Sequence, residues 1–202
     1  MKQDDRERLL ACRRCPRMRA QFRRLRAEQP DYWNRPVPPA GAVGSPLLIV
    51  GLAPGLHGAN RTGVPFTGDA SGDVLFRTLE QAGIREAVEI TNAVKCLPPK
   101  NLPNANEINN CQAFLRQDLQ HRRVILALGG VAHRAVIRAL GLKQRDAAFA
   151  HGAVHALGDI RLFDSYHCSR YNTQTGRLTE PMLLSVVESA AYAARLTPTQ
   201  DA

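Results

Sequence analysis

The residues best suited to chemistry in this 202-residue chain are a set of cysteines and two polar loops. Cys12 and Cys15 form a CxxC near the start, and Cys96 and Cys111 make a wider pair in mid-sequence. Four thiolates so arranged can close a tetrahedral sulfur site, which suits zinc or an iron–sulfur cluster. A zinc ribbon repeats CxxC on two knuckles, whereas here the second pair is split by the insertion KNLPNANEINN. One CxxC plus two separated cysteines fits a [4Fe–4S] cluster better, and with no redox partner indicated its expected role is structural. The fifth cysteine, Cys168, stands apart.

The first loop, Gly51 to Gly72, reads GLAPGLHGANRTGVPFTGDASG and directly follows an apolar run. It lacks the GxxxxGK[ST] and GxGxxG spacings, so a triphosphate cradle is not expected. It carries His57, Asn60, Arg61, Phe66 and Asp69, with Asp73 just beyond. Phe66, between Pro65 and Gly68, can present a flat face for stacking a base. Asp69 and Ser71 are equally good helix N-caps. The second loop, Ser165 to Thr179, reads SYHCSRYNTQTGRLT and groups His167, Ser169, Arg170, Asn172, Thr173, Gln174, Thr175 and Arg177. Hydroxyl, amide and guanidinium groups of this kind suit phosphate contacts. Asn92 ends an apolar stretch and faces the same crevice.

Four short apolar runs, residues 47–52, 88–94, 124–129 and 160–165, are separated by helical patterns over 70–82, 105–121, 131–140 and 181–196. That alternation implies parallel strands covered on both faces. The expected fold is α/β: a three-layer αβα arrangement around a roughly four-stranded parallel sheet. In such sheets ligands bind beyond the carboxyl ends of the strands, where both loops lie. Residues 4–27 read as helix interrupted at Cys15-Pro16, residues 31–46 as an extended connector, Arg145–Asp146 as a turn, and TPTQDA at the end as frayed. One domain over 1–202 is expected, with a helical cluster-binding segment at 1–30.

The formal net charge is +9, with 27 Lys and Arg against 18 Asp and Glu, which favours a polyanionic partner. No apolar run nears the roughly 18–20 residues that span a bilayer, and the first residues lack a signal-peptide core. A cytoplasmic protein is expected, and charge alone does not separate DNA from RNA or an acidic protein as the partner.

Three segments, GLAPGLHGANRTGVPFTGDASG, TNAVKCLPPKN and YHCSRYNTQTGRLT, together with the early CxxC, carry a resemblance over nearly the whole chain. The sequence resembles the uracil-DNA glycosylase superfamily, in particular its iron–sulfur branch, family 5. The resemblance implies a [4Fe–4S] cluster on Cys12, Cys15, Cys96 and Cys111, and removal of deaminated bases from DNA, with the protein nucleoid-associated when bound there; a monomer is expected. It implies a base pocket at Gly51, Ala53, Phe66, Asn92 and His167, with Phe66 stacking on the base and Asn92 reading its polar edge. His167 donates toward uracil O2, and Asp69, or else Asp73, is the acidic group beside the water or sugar. Arg61, Ser169, Arg170, Asn172, Thr175 and Arg177 are the implied DNA contacts. Leu52 stands where other branches place an acidic or amide side chain, so hypoxanthine or xanthine join uracil as expected substrates. No lysine lies in the two loops, Gly51–Gly72 and Ser165–Thr179, which implies a monofunctional glycosylase. The competing readings are a non-catalytic iron–sulfur nucleic-acid-binding protein of the same fold and a nucleotide-dependent α/β enzyme with structural zinc.

Overall fold

The structure, a computed structural model, describes residues 3–196; the TPTQDA tail lies outside the described residues. The chain runs α1 (Gln3–Leu10), α2 (Pro16–Glu28), β1 (Ala40–Gly41), β2 (Leu47–Gly51), α3 (Ala59–Thr62), α4 (Ala70–Gln81), β3 (Glu89–Asn92), α5 (Ala105–Leu119), β4 (Val124–Leu128), α6 (Gly130–Ala139), β5 (Val154–Leu157), β6 (Ile160–Ser165), α7 (Arg170–Gln174) and α8 (Glu180–Ala194). Single 3₁₀ turns occur at Arg85–Ala87, Pro99–Asn101 and Gln144–Asp146.

The central strands are continuous apolar runs because both faces of the sheet are covered. In β2, Leu47 and Ile49 enter one core with Leu75 and Leu79 of α4 and Leu183 and Val187 of α8. Leu48 and Val50 enter the other, with Leu115 and Leu119 of α5 and Ala132 and Val136 of α6. These are the expected three layers. The sheet order is β1-β3-β2-β4-β6-β5. The four expected strands are the parallel ones, and the sheet gains an antiparallel edge on each side: β1 against β3 and β5 against β6. The sheet is therefore mixed and six-stranded. The connector over 31–46 is no mere spacer, since it supplies β1 and the buried Asn34.

The amino-terminal arm is tied to α5. Helix α2 starts on Pro16, whose missing N–H is harmless in a first turn, and buries Met18, Phe22 and Leu25. Helix α5 opens with a capping box between Asn104 and Glu107. Glu107 also accepts from Arg17 at 2.8 and 2.6 Å, a forked contact joining α2 to α5. That contact brings the CxxC onto the helix that carries Cys111.

Candidate active site

Because β2, β3 and β6 run parallel, the segments that leave them emerge at one edge of the sheet. They enclose a cavity of about 360 Å³ lined by Leu52, Ala53, Gly55, Ala59, Phe66, Asp69 and Ser71 from the first loop, Asn92 at the end of β3 and Asn101 beyond it, and His167 and Ser169 after β6. Cavities of this size accommodate small ligands. Phe66 and His167 face one another with ring centroids 5.9 Å apart and planes 28° from parallel. Phe66 sits at φ 57°, a left-handed conformation unusual for an aromatic residue. Gly51 lies directly behind Phe66 and Asn92. A Cβ there would come within 2.5 Å of Asn92 Oδ1 and 2.6 Å of the Phe66 ring, so only glycine lets both side chains close up.

Asn92 is buried, and its Oδ1 has no hydrogen-bond partner among the described residues. A buried acceptor left unmade costs free energy, so an orphan oxygen at a cavity wall is suited to a donor brought in by a ligand. The Asn92 carbonyl is held from behind by Lys95 Nζ at 2.7 Å, and that ammonium is itself buried against Asp118.

Asp69 is both cap and wall. Its Oδ1 accepts from the N–H groups of Ser71 at 3.1 Å and Gly72 at 3.0 Å, fixing the carboxylate at the start of α4. Its Oδ2 lies over Gly58, where a Cβ would collide with it. Asp73 is exposed on the next turn and does not line the cavity. Burial holds the His167 imidazole below its usual pKa, with the negative charge of Asp69 pulling the other way. The ring is therefore neutral at neutral pH, and neither ring nitrogen has a protein hydrogen-bond partner among the described residues. A neutral imidazole there can donate one N–H into the cavity.

The expected phosphate-contact residues divide. Ser169 lines the cavity while accepting from the Asn172 N–H to cap α7. Asn172 donates to the His167 carbonyl at 2.8 Å, and Thr175 donates to the Tyr171 carbonyl at 2.8 Å. Both are thus engaged in shaping the loop. Arg61 lies over Gly68, Arg177 stacks on Tyr166 at 4.5 Å, and Arg170 is exposed at the rim. His57 bonds Tyr32 outside the cavity, and Asn60 is buried against Asn34. Asn101, Gly55 and Ala59 are cavity residues that sequence reasoning does not single out, and Ser71 stands there only as a candidate helix cap. Only Asn101 had a cue, since an Asn after Pro-Pro-Lys tolerates the left-handed turn found there at φ 55°.

Cys12, Cys15, Cys96 and Cys111 come together around one small cavity between α2 and the middle of α5. Burial and the neighbouring sulfurs raise the Cys96 thiol well above its usual pKa. Burial likewise pushes Cys111 up to about 11, against the pull of Lys95. Sulfurs crowded in this way favour a bound cation that lets them ionise. Cys168 is separate, buried against the Ser71 carbonyl.

A third polar cluster backs β6. His133 Nδ1 lies 2.8 Å from Asp164 Oδ1 and His133 Nε2 lies 2.8 Å from the Ala147 carbonyl. His155 reaches the second Asp164 oxygen at 3.0 Å. Among the described residues this trio alone has ligand atoms all within 4.8 Å of one another. Both His133 nitrogens face acceptors, however, so both carry protons, and no lone pair remains for a metal. The hydrogen bond to Asp164 raises the His133 pKa despite burial, in accord with an imidazolium.

Comparison with known proteins gives the family. Residues 38–191 match the model of the Uracil DNA glycosylase superfamily. A Type-5 uracil-DNA glycosylase of Pyrobaculum aerophilum is 44% identical, the match covering 91% of this chain and 89% of the relative. One from Thermus thermophilus is 42% identical over 93% and 96% of the two chains. A Type-4 uracil-DNA glycosylase of Sulfurisphaera tokodaii is 28% identical over 95% and 86%.

Proposed function

The chain belongs to the uracil-DNA glycosylase superfamily, and from that premise we propose that its cavity receives a uracil everted from DNA and releases it by hydrolysis of the N-glycosidic bond. The observation that carries the reading is the orphan Asn92 Oδ1 beside the Phe66–His167 pair. Uracil presents an N3–H flanked by two carbonyl oxygens. An amide can accept from that N–H and donate to O4, whereas cytosine offers an acceptor and an amino group at the same places. Phe66 supplies the stacking face, and eversion costs a few kcal/mol, least for a mispaired base.

Bond cleavage places negative charge on the departing base and positive charge on the sugar. A neutral His167 donates to O2 as that charge grows; a preorganised donor of this type is worth about 3–4 kcal/mol. Asp69 Oδ2, fixed because its partner oxygen caps α4, stands as the carboxylate for the sugar or for the attacking water. Among the described residues the cavity lining contains no amine, which supports a monofunctional enzyme without strand cleavage. Leu52 and Ala53 in the lining leave room for a deaminated purine, so hypoxanthine and xanthine are proposed as further substrates. Ser169, Arg61, Arg170 and Arg177 are the proposed phosphate contacts, while Asn172 and Thr175 can join them only by giving up bonds that shape α7.

The four cysteines share one cavity, a donor set of thiolates suited to zinc or an iron–sulfur cluster, and one CxxC with two separated cysteines supports a [4Fe–4S] cluster. Cys12, Cys15, Cys96 and Cys111 would hold it, and it would supply structural cohesion rather than reaction chemistry. We read the protein as a monomer, built as one domain with a cluster-binding arm at 1–30. Among the described residues no helix is long and apolar enough to cross a membrane.

The test is a panel of labelled duplexes, each with a single uracil, hypoxanthine or xanthine. Release of uracil that leaves an alkali-labile but intact strand is expected. Absence of base release on every duplex, or nicking before alkali, would overturn the reading.

A further inference from the structure

Outside this site, the strongest charge concentration lies along α2. A groove of about 600 Å³ beside the cysteine cavity is lined by Arg13, Arg19, Arg23, Arg26 and Arg35, with Leu10, Cys12, Phe22 and Pro36 completing it and no carboxylate in the lining. All five arginines are exposed. Arg19, Arg23 and Arg26 repeat at i, i+4 and i+7, so they form one stripe on the helix. The arginines of α2 are otherwise used differently: Arg17 pairs with Glu107 and Arg24 with Glu28. None of the five groove arginines is in an ion pair among the described residues.

We propose that this groove is a second phosphate-binding surface, which takes the backbone of the duplex flanking the lesion. The proposal rests on the glycosylase reading for the identity of the polyanion. Five like charges around one groove repel one another unless an anion sits among them, and guanidinium groups are the side chains best matched to phosphate. Three are already oriented. Arg26 donates to the Asn34 carbonyl at 3.0 Å, Arg13 to the Cys12 carbonyl at 3.1 Å, and Arg35 lies over the Trp33 ring at 5.7 Å. Arg19 and Arg23 have no partner among the described residues and are left to bind.

The groove also connects with the first loop of the active site. Asn34, which receives Arg26, donates its N–H to the Asn60 carbonyl and accepts from Asn60 Nδ2 at 2.9 Å. The Trp33 N–H bonds the Arg61 carbonyl at 3.1 Å. Residues 33 and 34 therefore join the arginine groove to the segment that carries Arg61 and, a few residues on, Phe66 and Asp69. DNA bound at the cavity and running past Arg61 meets the groove next.

The experiment compares wild type with the Arg19→Gln/Arg23→Gln variant by fluorescence anisotropy across a salt series. It uses a short duplex of about one helical turn and a long one of about three turns, at ~10 base pairs per turn. Thermal melting and iron content serve as fold controls. On the long duplex the log–log salt slope should fall by about 1.8, roughly 0.9 for each phosphate that the variant no longer neutralises, with binding at ~0.1 M salt weakened tenfold or more. The short duplex should show little change. Equal slopes for both proteins on the long duplex would overturn the proposal, as would an equal loss on both duplexes, which would put these arginines at the active-site footprint. Retention of inorganic phosphate in equilibrium dialysis by wild type but not by the variant, with unchanged DNA slopes, would make the groove a free-anion site and also overturn it. Wild type that releases no uracil yet shows the split slopes would sink the glycosylase reading and leave the groove's role standing.

Discussion

Asp69 is where the ordinary and the chemical readings of a residue coincide. The Asp-Ala-Ser-Gly sequence made it a plain N-cap, and it is one; the same two bonds aim its other oxygen into the cavity wall. Capping is the positioning device, and for that reason Asp69 rather than Asp73 meets His167. The electrostatic link is measurable. By proton NMR, the His167 imidazole should titrate below its ordinary value near 6.5, and Asp69→Asn should move it lower still, because the opposing negative charge is gone. An unchanged or higher midpoint in the variant would mean the two groups are not coupled. For the reaction, His167→Ala should slow single-turnover uracil release by about 10²–10³, the usual cost of one oxyanion donor. A slowing under about threefold would remove His167 from the mechanism. Phe66, Asn92 and His167 were legible because their types stand out in loops after apolar strands. Asn101 was not, since one amide in a Pro- and Asn-rich insertion is chemically unremarkable until the chain folds it across the crevice.

At the level of elements, the parallel strands and their covering helices could be read from continuous apolar runs, but the two edge strands could not. Two-residue β1 is too short to show a pattern. β5 pairs on one side only, and its residues remain partly exposed, so Val-His-Ala-Leu carries no apolar run. The missed cue was Leu157-Gly158-Asp159-Ile160, a two-residue hairpin connection whose Gly158 adopts φ 65°. That hairpin matters because it holds His155 and Asp164 against His133 of α6, just behind the strand that delivers His167. His133 has a raised folded pKa, so the stability it contributes is complete below about 6.5 and is lost as pH rises through the raised value. Denaturant titrations of wild type and His133→Asn should therefore diverge most in mild acid and converge toward alkaline pH. A pH-independent gap would show that no proton is taken up at this site on folding. Gly51→Ala tests the β2 end: the added methyl meets Phe66 and Asn92, and base release should fall by over about a hundredfold while overpacking costs roughly 1–3 kcal/mol of stability.

For the molecule as a whole, the sheet and the cysteine arm share one insertion. Residues 93–104 leave β3, pass Cys96, place Asn101 in the cavity and end at the cap of α5 ahead of Cys111. Loss of the sulfur site should thus loosen a cavity wall as well as the arm. Cys111→Ala should abolish stoichiometric iron and visible absorbance and lower the melting temperature, whereas Cys168→Ala should keep full iron content. Iron retained by Cys111→Ala would exclude that residue as a ligand. The central claim, that one everted uracil lies between the loops after β2 and β6, is tested most directly by a crystal structure with product DNA and free uracil. The account predicts the ring stacked on Phe66, its N3–H at Asn92 Oδ1 and its O2 at a His167 nitrogen. Uracil seated elsewhere, or the lesion nucleotide still stacked in the helix with this cavity empty, would contradict it.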